Sequence, residues 1–147
     1  MSFNIPKEVA AVLAELEKHN FRGYLVGGCV RDILLGRIPK DWDITTNALP
    51  EETQVIFPDN VYENEFGTVG VKTDSEDPTL KIVEVTTFRV ESSYTDKRHP
   101  DRIQFAETVE EDLSRRDFTI NAIALRTIEG AEPELIDPFK GQEDLDK

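Results

Sequence analysis

Residues 6–20, PKEVAAVLAELEKHN, carry apolar side chains at helical spacing: Val9, Val12, Leu13 and Leu16. The rhythm predicts a helix, with Pro6 suited to its first turn and Asn20 or Gly23 able to end it. A short apolar run at 24–26 predicts a buried strand that breaks at Gly27-Gly28. Residues 30–35 read as a second helix stopped by Gly36. The stretch 41–46, DWDITT, predicts another strand. Residues 47–57 follow as a helix, with Pro50, Glu51 and Glu52 at its positive end. Two further strands, 67–73 and 81–89, are rich in Val, Ile and Thr.

From 91 to 103 neither periodicity holds, and ESSYTDKRHPDRI reads as a polar loop. Residues 108–126 read as a helix running toward a last strand near 122–125. The tail turns at Asp137-Pro138 and begins another helix. Strands followed by helices, with several strands adjacent, predict an α+β fold: a mixed sheet of about five strands with helices on one face. No repeat, low-complexity tract or inner linker divides the chain, so residues 1–147 are expected to form one domain.

Composition changes this picture little. The chain has 147 residues, 38% hydrophobic and 32% charged, enough to bury a core. No segment approaches the roughly 20 apolar residues of a membrane helix, so no membrane partner is expected. The start, MSFNIPKEVA, lacks the basic and apolar regions of a secretory signal. The single cysteine, Cys29, excludes an internal disulfide framework and fits a reducing compartment; the cytoplasm is expected. The net charge of −13 argues against tight nucleic-acid binding by this segment alone, because phosphate contacts need a basic surface. A substrate touching a small basic site, or held mainly by another domain, stays compatible with it.

The chemistry concentrates in LVGGCVRDILLGRIPKDWDITT. In a strand, residues i and i+2 share a face about 6.5–7 Å apart. Asp41 and Asp43 therefore point one way, and Trp42 and Ile44 the other, toward core. Two carboxylates on one face repel unless a cation lies between them, and oxygen-only ligands suit a hard ion such as Mg²⁺. A pair of such ions is a usual device for attack on a phosphate. The alternative is two solvated aspartates on an edge strand. Gly27-Gly28, where strand becomes helix, lets a phosphate approach backbone N–H groups, with Arg31 on the first helical turn near enough to join a triphosphate site. Alternatively the glycines only make a tight turn and Arg31 pairs with Asp32. Glu84 is a lone acid in a β-branched strand. It becomes a third carboxylate if that strand neighbours the aspartate strand, and is otherwise an exposed residue. Arg115, Arg116 and Asp117 open a stretch that soon turns apolar. They offer either phosphate-binding forks or a solvated surface.

Together, LVGGCVRDILLG, KDWDITT, VEVTTFR, EEDLSRRDFTINAIAL and IDPFKGQEDL resemble, in order, the catalytic head of the tRNA nucleotidyltransferases, the CCA-adding enzymes. The bacterial-type class that they resemble also includes bacterial poly(A) polymerases, within the polymerase-β-like nucleotidyltransferase superfamily. The resemblance implies a head that adds CMP and AMP to the tRNA 3′ end from CTP and ATP, with release of pyrophosphate. It implies that Asp41 and Asp43 hold two Mg²⁺ ions, with Glu84 a further catalytic acid. Gly28, Arg31 and Arg116 would contact the nucleotide, with Asp117 and Asn121 in support. The stretch YTDKRHPDRI resembles a flexible loop that serves addition of the final A in CCA-adding enzymes.

In the family the chain continues into neck, body and tail. The neck reads the incoming base through an acid-acid-x-x-arginine element; EEDLSRR here is superficially close to it but belongs to the arginine-pair stretch, and no neck element is identified. Two other functions therefore stand beside CCA addition: a poly(A) polymerase head, or a nucleotide-binding module inactive without further domains.

Overall fold

A computed structural model describes residues 3–63, 67–91, 103–116, 118–128 and 132–145. Helix α1, Lys7–Lys18, begins directly after Pro6 and buries Val9, Val12, Leu13 and Leu16, as its periodicity predicts. Strand β1, Gly23–Val26, is buried along its length and runs into α2, Gly28–Leu34. Strand β2, Asp43–Thr46, and helix α3, Pro50–Ile56, follow. The Glu52 carboxylate accepts the Leu49 N–H at the start of α3 (2.9 Å), satisfying one of its orphan donors. Strands β3, Asn60–Tyr62, β4, Thr68–Lys72, and β5, Ile82–Thr87, form a meander.

Both ends of the stretch 91–103, which the sequence predicts to be loop, belong to strands. Strands β6, Arg89–Glu91, and β7, Ile103–Phe105, pair as an antiparallel ribbon. The centre of YTDKRHPDRI lies outside the described residues. The helix expected over 108–126 is shorter: α4 spans Val109–Ser114, followed by a 3₁₀ turn at Thr119–Asn121 and β8, Ala124–Arg126. The β-branched and aromatic residues after Arg116 favour extended backbone over helix, which accounts for the early stop. Strand β9, Glu134–Ile136, and α5, Gly141–Leu145, complete the chain.

The main sheet has seven strands rather than about five, in the order β3-β4-β5-β2-β1-β8-β9. It is mixed: β2 and β5 run parallel, and the remaining neighbours are antiparallel. The two strands missing from the sequence reading, β3 and β9, are three-residue edge strands, too short to show alternation. Alternation within the central strands divides the core in two. Leu25, Ile44, Val69, Val71, Val83 and Val85 face α1 and α2. Tyr24, Val26 and Ala124 point the opposite way, onto Val109 and Leu113 of α4. So α1 and α2 cover one face as expected, while short α4 covers part of the other. Trp42 is 3% exposed and belongs to the first cluster, leaving its neighbours Asp41 and Asp43 for the second face. Each fully buried Leu or Val stabilises by about 1.5–3 kcal/mol, so the α1 face holds the central strands rigidly in register beneath the acids. No helix among the described residues is long and apolar enough to cross a membrane.

Candidate active site

The acidic side of the site is built by strand register. Parallel pairing places Asp43 of β2 opposite Glu84 of β5, and the Glu84 N–H donates to the Trp42 carbonyl at 3.2 Å. The condition set on Glu84 by the sequence, adjacency to the aspartate strand, is met. Regular strand structure begins at Asp43, not Asp41, so one of the two aspartates precedes β2 instead of lying inside it. Asp41 nonetheless opens onto the same cleft as Asp43, a cavity of about 460 Å³ also lined by Gly28, Arg31, Asp32 and Lys40. On its other side Asp41 lines a second cleft with Glu63 and Glu84.

These carboxylates resist carrying their full charge together. Burial, and then the neighbouring Glu84, push the Asp43 carboxyl up to about 7, against the pull of Arg116. Burial followed by Glu63 raises Glu84. Asp43 and Glu84 are in hydrogen-bonding contact, and the upward shift of both favours a proton held by the pair. A hard divalent ion would displace that proton. Among the described residues no group of three or more His, Cys, Asp or Glu side chains is placed to enclose a metal alone. Mg²⁺ does not need such a cage, because it binds through one or two carboxylates and completes its shell with substrate phosphate and water. The donor set fits that ion.

The basic side converges on the double glycine. Gly27 has φ +75° and ψ −142°, a conformation that side chains with a Cβ strain to adopt. A Cβ built there would lie 3.5 Å from Nη1 of Arg116, and one built on Gly28 would lie 3.3 Å from Nη2 of Arg31. Two guanidinium groups from segments far apart in sequence thus stand over one backbone turn. Arg31 donates through Nη1 to Asn121 Oδ1 (3.3 Å) and through Nε to Asp32 (3.2 Å). Arg31 therefore pairs with Asp32, one of the two arrangements the sequence allows, and also lines the cleft. Arg116 donates through Nη2 to Asp112 Oδ2 at 3.2 Å, and its Nε is buried with no hydrogen-bond partner among the described residues. Burial pulls the Arg116 guanidinium below its usual range, while Asp112 opposes that shift. Arg115 turns its Nε to Asp112 instead, at 3.4 Å. Asp117 lies outside the described residues. Cys29, 2% exposed, donates to the Val26 carbonyl and more weakly to the Asp43 carbonyl, at 3.2 and 3.8 Å, bracing β1 against β2 beneath the turn.

Two residues escaped the sequence reading. Asp112 is fully buried and bonds both arginines; acid at i with arginines at i+3 and i+4 was a legible sign of it. Glu63 interacts with Glu84, and Gly70 of β4, the cross-strand partner of Glu84, leaves room for it: a Cβ there would sit 2.8 Å from Glu63 Oε1. No local pattern announces that contact, which depends on strand order.

Residues 23–147 match the family of the poly A polymerase head domain. The chain is 46% identical over 142 residues to a CCA-adding enzyme of Bacillus cytotoxicus, covering 96% of this chain and 34% of that relative. A crystal structure of the Bacillus stearothermophilus CCA-adding enzyme in complex with CTP superposes with a TM-score of 0.77 at 40% identity, over 95% of this chain and 31% of that one. A tRNA nucleotidyltransferase complexed with a primer tRNA and an incoming ATP analog gives a TM-score of 0.65 at 31% identity, over 94% of this chain and 36% of the other. The chain spans about a third of the length of the curated relatives that it matches.

Proposed function

Because the chain belongs to the poly A polymerase head domain family, we propose that it is the nucleotidyltransferase head of a CCA-adding enzyme. It adds CMP and AMP from CTP and ATP to the 3′ end of tRNA, releasing pyrophosphate. The single observation that carries this reading is the convergence of Arg31 and Arg116 over Gly27-Gly28, beside the Asp41, Asp43 and Glu84 carboxylates. The curated relatives favour CCA addition over poly(A) synthesis, since those cited are named CCA-adding enzymes.

The residues divide the work by charge. The guanidinium groups of Arg31 and Arg116 grip the triphosphate above the bare backbone of Gly28, where forked donors match phosphate oxygens. Asp41 and Asp43 hold Mg²⁺, two ions in our reading. When bound, it supplies the positive charge that acidifies the attacking 3′-hydroxyl and steadies the departing pyrophosphate. Glu84, in contact with Asp43, accepts or relays the hydroxyl proton. Asn121 fixes Arg31 through its Oδ1. Grip on the body of the tRNA belongs to other parts of a longer enzyme, in keeping with the net charge of −13 here. A single cysteine, buried at Cys29, and relatives named as CCA-adding and tRNA-processing enzymes fit a cytoplasmic setting.

The test joins this chain to the remaining two-thirds of the Bacillus cytotoxicus relative and supplies labelled CTP, ATP and tRNA lacking its CCA end. The expected product is tRNA extended by C, C and a single A, with Asp41→Ala reducing incorporation by at least a hundredfold. A long A tract from ATP alone would favour the poly(A) reading. Unchanged incorporation by Asp41→Ala would remove that residue from the reaction.

A further inference from the structure

Asp112 is fully buried, and a buried carboxylate is sustained only by donors that replace water. Its Oδ1 accepts the backbone N–H of Arg89, the first residue of β6, at 3.0 Å and Arg115 Nε at 3.4 Å. Its Oδ2 accepts Arg116 Nη2 at 3.2 Å. Arg116 lies just beyond the end of α4, which stops at Ser114, and its backbone N–H still donates to the Leu113 carbonyl at 3.2 Å. Among the described residues the guanidinium is hydrogen-bonded to this one carboxylate, while Nη1 stands over Gly27 and Nε is buried without a partner. The same carboxylate grips the base of the β6–β7 ribbon.

We propose that Asp112 is a positioning residue that aims Arg116 over the double glycine and couples it to the β6–β7 ribbon. The proposal rests on the assignment of Arg116 to the nucleotide. Occupation of the cleft by a triphosphate then orders the Arg116 side chain, and with it the Asp112 carboxylate that accepts the Arg89 amide. The substitution Asp112→Asn separates these functions. The new side-chain carbonyl can still accept from the Arg89 N–H, but the new amide nitrogen presents a donor to Arg116 Nη2, where an acceptor is needed.

The test is calorimetric titration of CTP with Mg²⁺ into the chain and three variants: Asp112→Asn, Arg116→Ala and the double. Asp112→Asn is expected to weaken CTP binding about tenfold or more, and the double variant to bind no worse than Arg116→Ala. A structural role alone would not give that non-additivity, because independent losses multiply. If Arg116→Ala weakens binding while Asp112→Asn leaves it within twofold, the positioning role falls and the nucleotide reading of Arg116 stands. Multiplying losses overturn the proposal in the same way. If Arg116→Ala has no effect, the reading of Arg116 falls and the proposal with it. Amide hydrogen exchange on the unmodified chain covers the case in which Asp112→Asn does not fold. CTP is expected to slow exchange of the Arg89 N–H several-fold, and an unchanged rate overturns the coupling.

Discussion

Asp43 shows how burial and register raise the pKa of an ordinary aspartate. Its folded pKa, about 7, lies well above that of an unfolded aspartate. Between about pH 4 and 7 the unfolded chain has lost this proton while the folded chain still binds it. Stability from this group is therefore complete below pH 4 and is lost as pH rises through 7. Thermal melts in EDTA should show Asp43→Asn more stable than the parent at pH 7.5, by about 1–3 kcal/mol, with the gap closing toward pH 5. An equal gap at both pH values would show that the carboxyl does not titrate as described. The residue scale was the most legible in the sequence. Asp41, Asp43, Gly28 and Arg31 lie close together in the chain, so spacing alone gathers them. Glu84 needed the β2–β5 pairing, and Glu63 needed the whole meander and a glycine at 70.

Among the elements, the turn between β1 and α2 carries the most consequence. Gly27 adopts a positive φ, and any side chain there would project toward Arg116. Gly27→Ala is expected to cost about 1–3 kcal/mol of stability from backbone strain. It should also weaken CTP binding at least tenfold, because it closes the approach to the backbone. Denaturant unfolding and calorimetry on one preparation measure both, and full CTP affinity would argue that the phosphate never nears the turn. Long periodic elements such as α1 could be read directly. The short ones could not: β3, β9 and the β6–β7 ribbon exist because partner strands supply their hydrogen bonds, which no run of three residues encodes. The stretch after Arg116 misled for a related reason, since apolar residues that fill the core under α4 look periodic whether or not they are helical.

For the whole molecule, the seven-stranded sheet has one apolar face against α1 and α2 and a second face that bears Asp43 and Glu84 beside the apolar cluster under α4. The fold class followed from the order of strands and helices, whereas the strand count and the use of both faces depended on tertiary pairing. The surplus of negative charge makes this chain a poor holder of RNA, and filter binding should detect no retention of tRNA by the chain alone at micromolar concentration in physiological salt. Retention there would mean that the grip on tRNA begins within these residues. The central claim is that paired aspartates and converging arginines form one cation-dependent triphosphate site. Calorimetric titration of CTP into the chain, with Mg²⁺ and then with EDTA, tests it most directly, using Asp43→Ala as the control. We expect binding with Mg²⁺ that weakens at least tenfold both in EDTA and in the variant; equal affinity in all three would contradict the account.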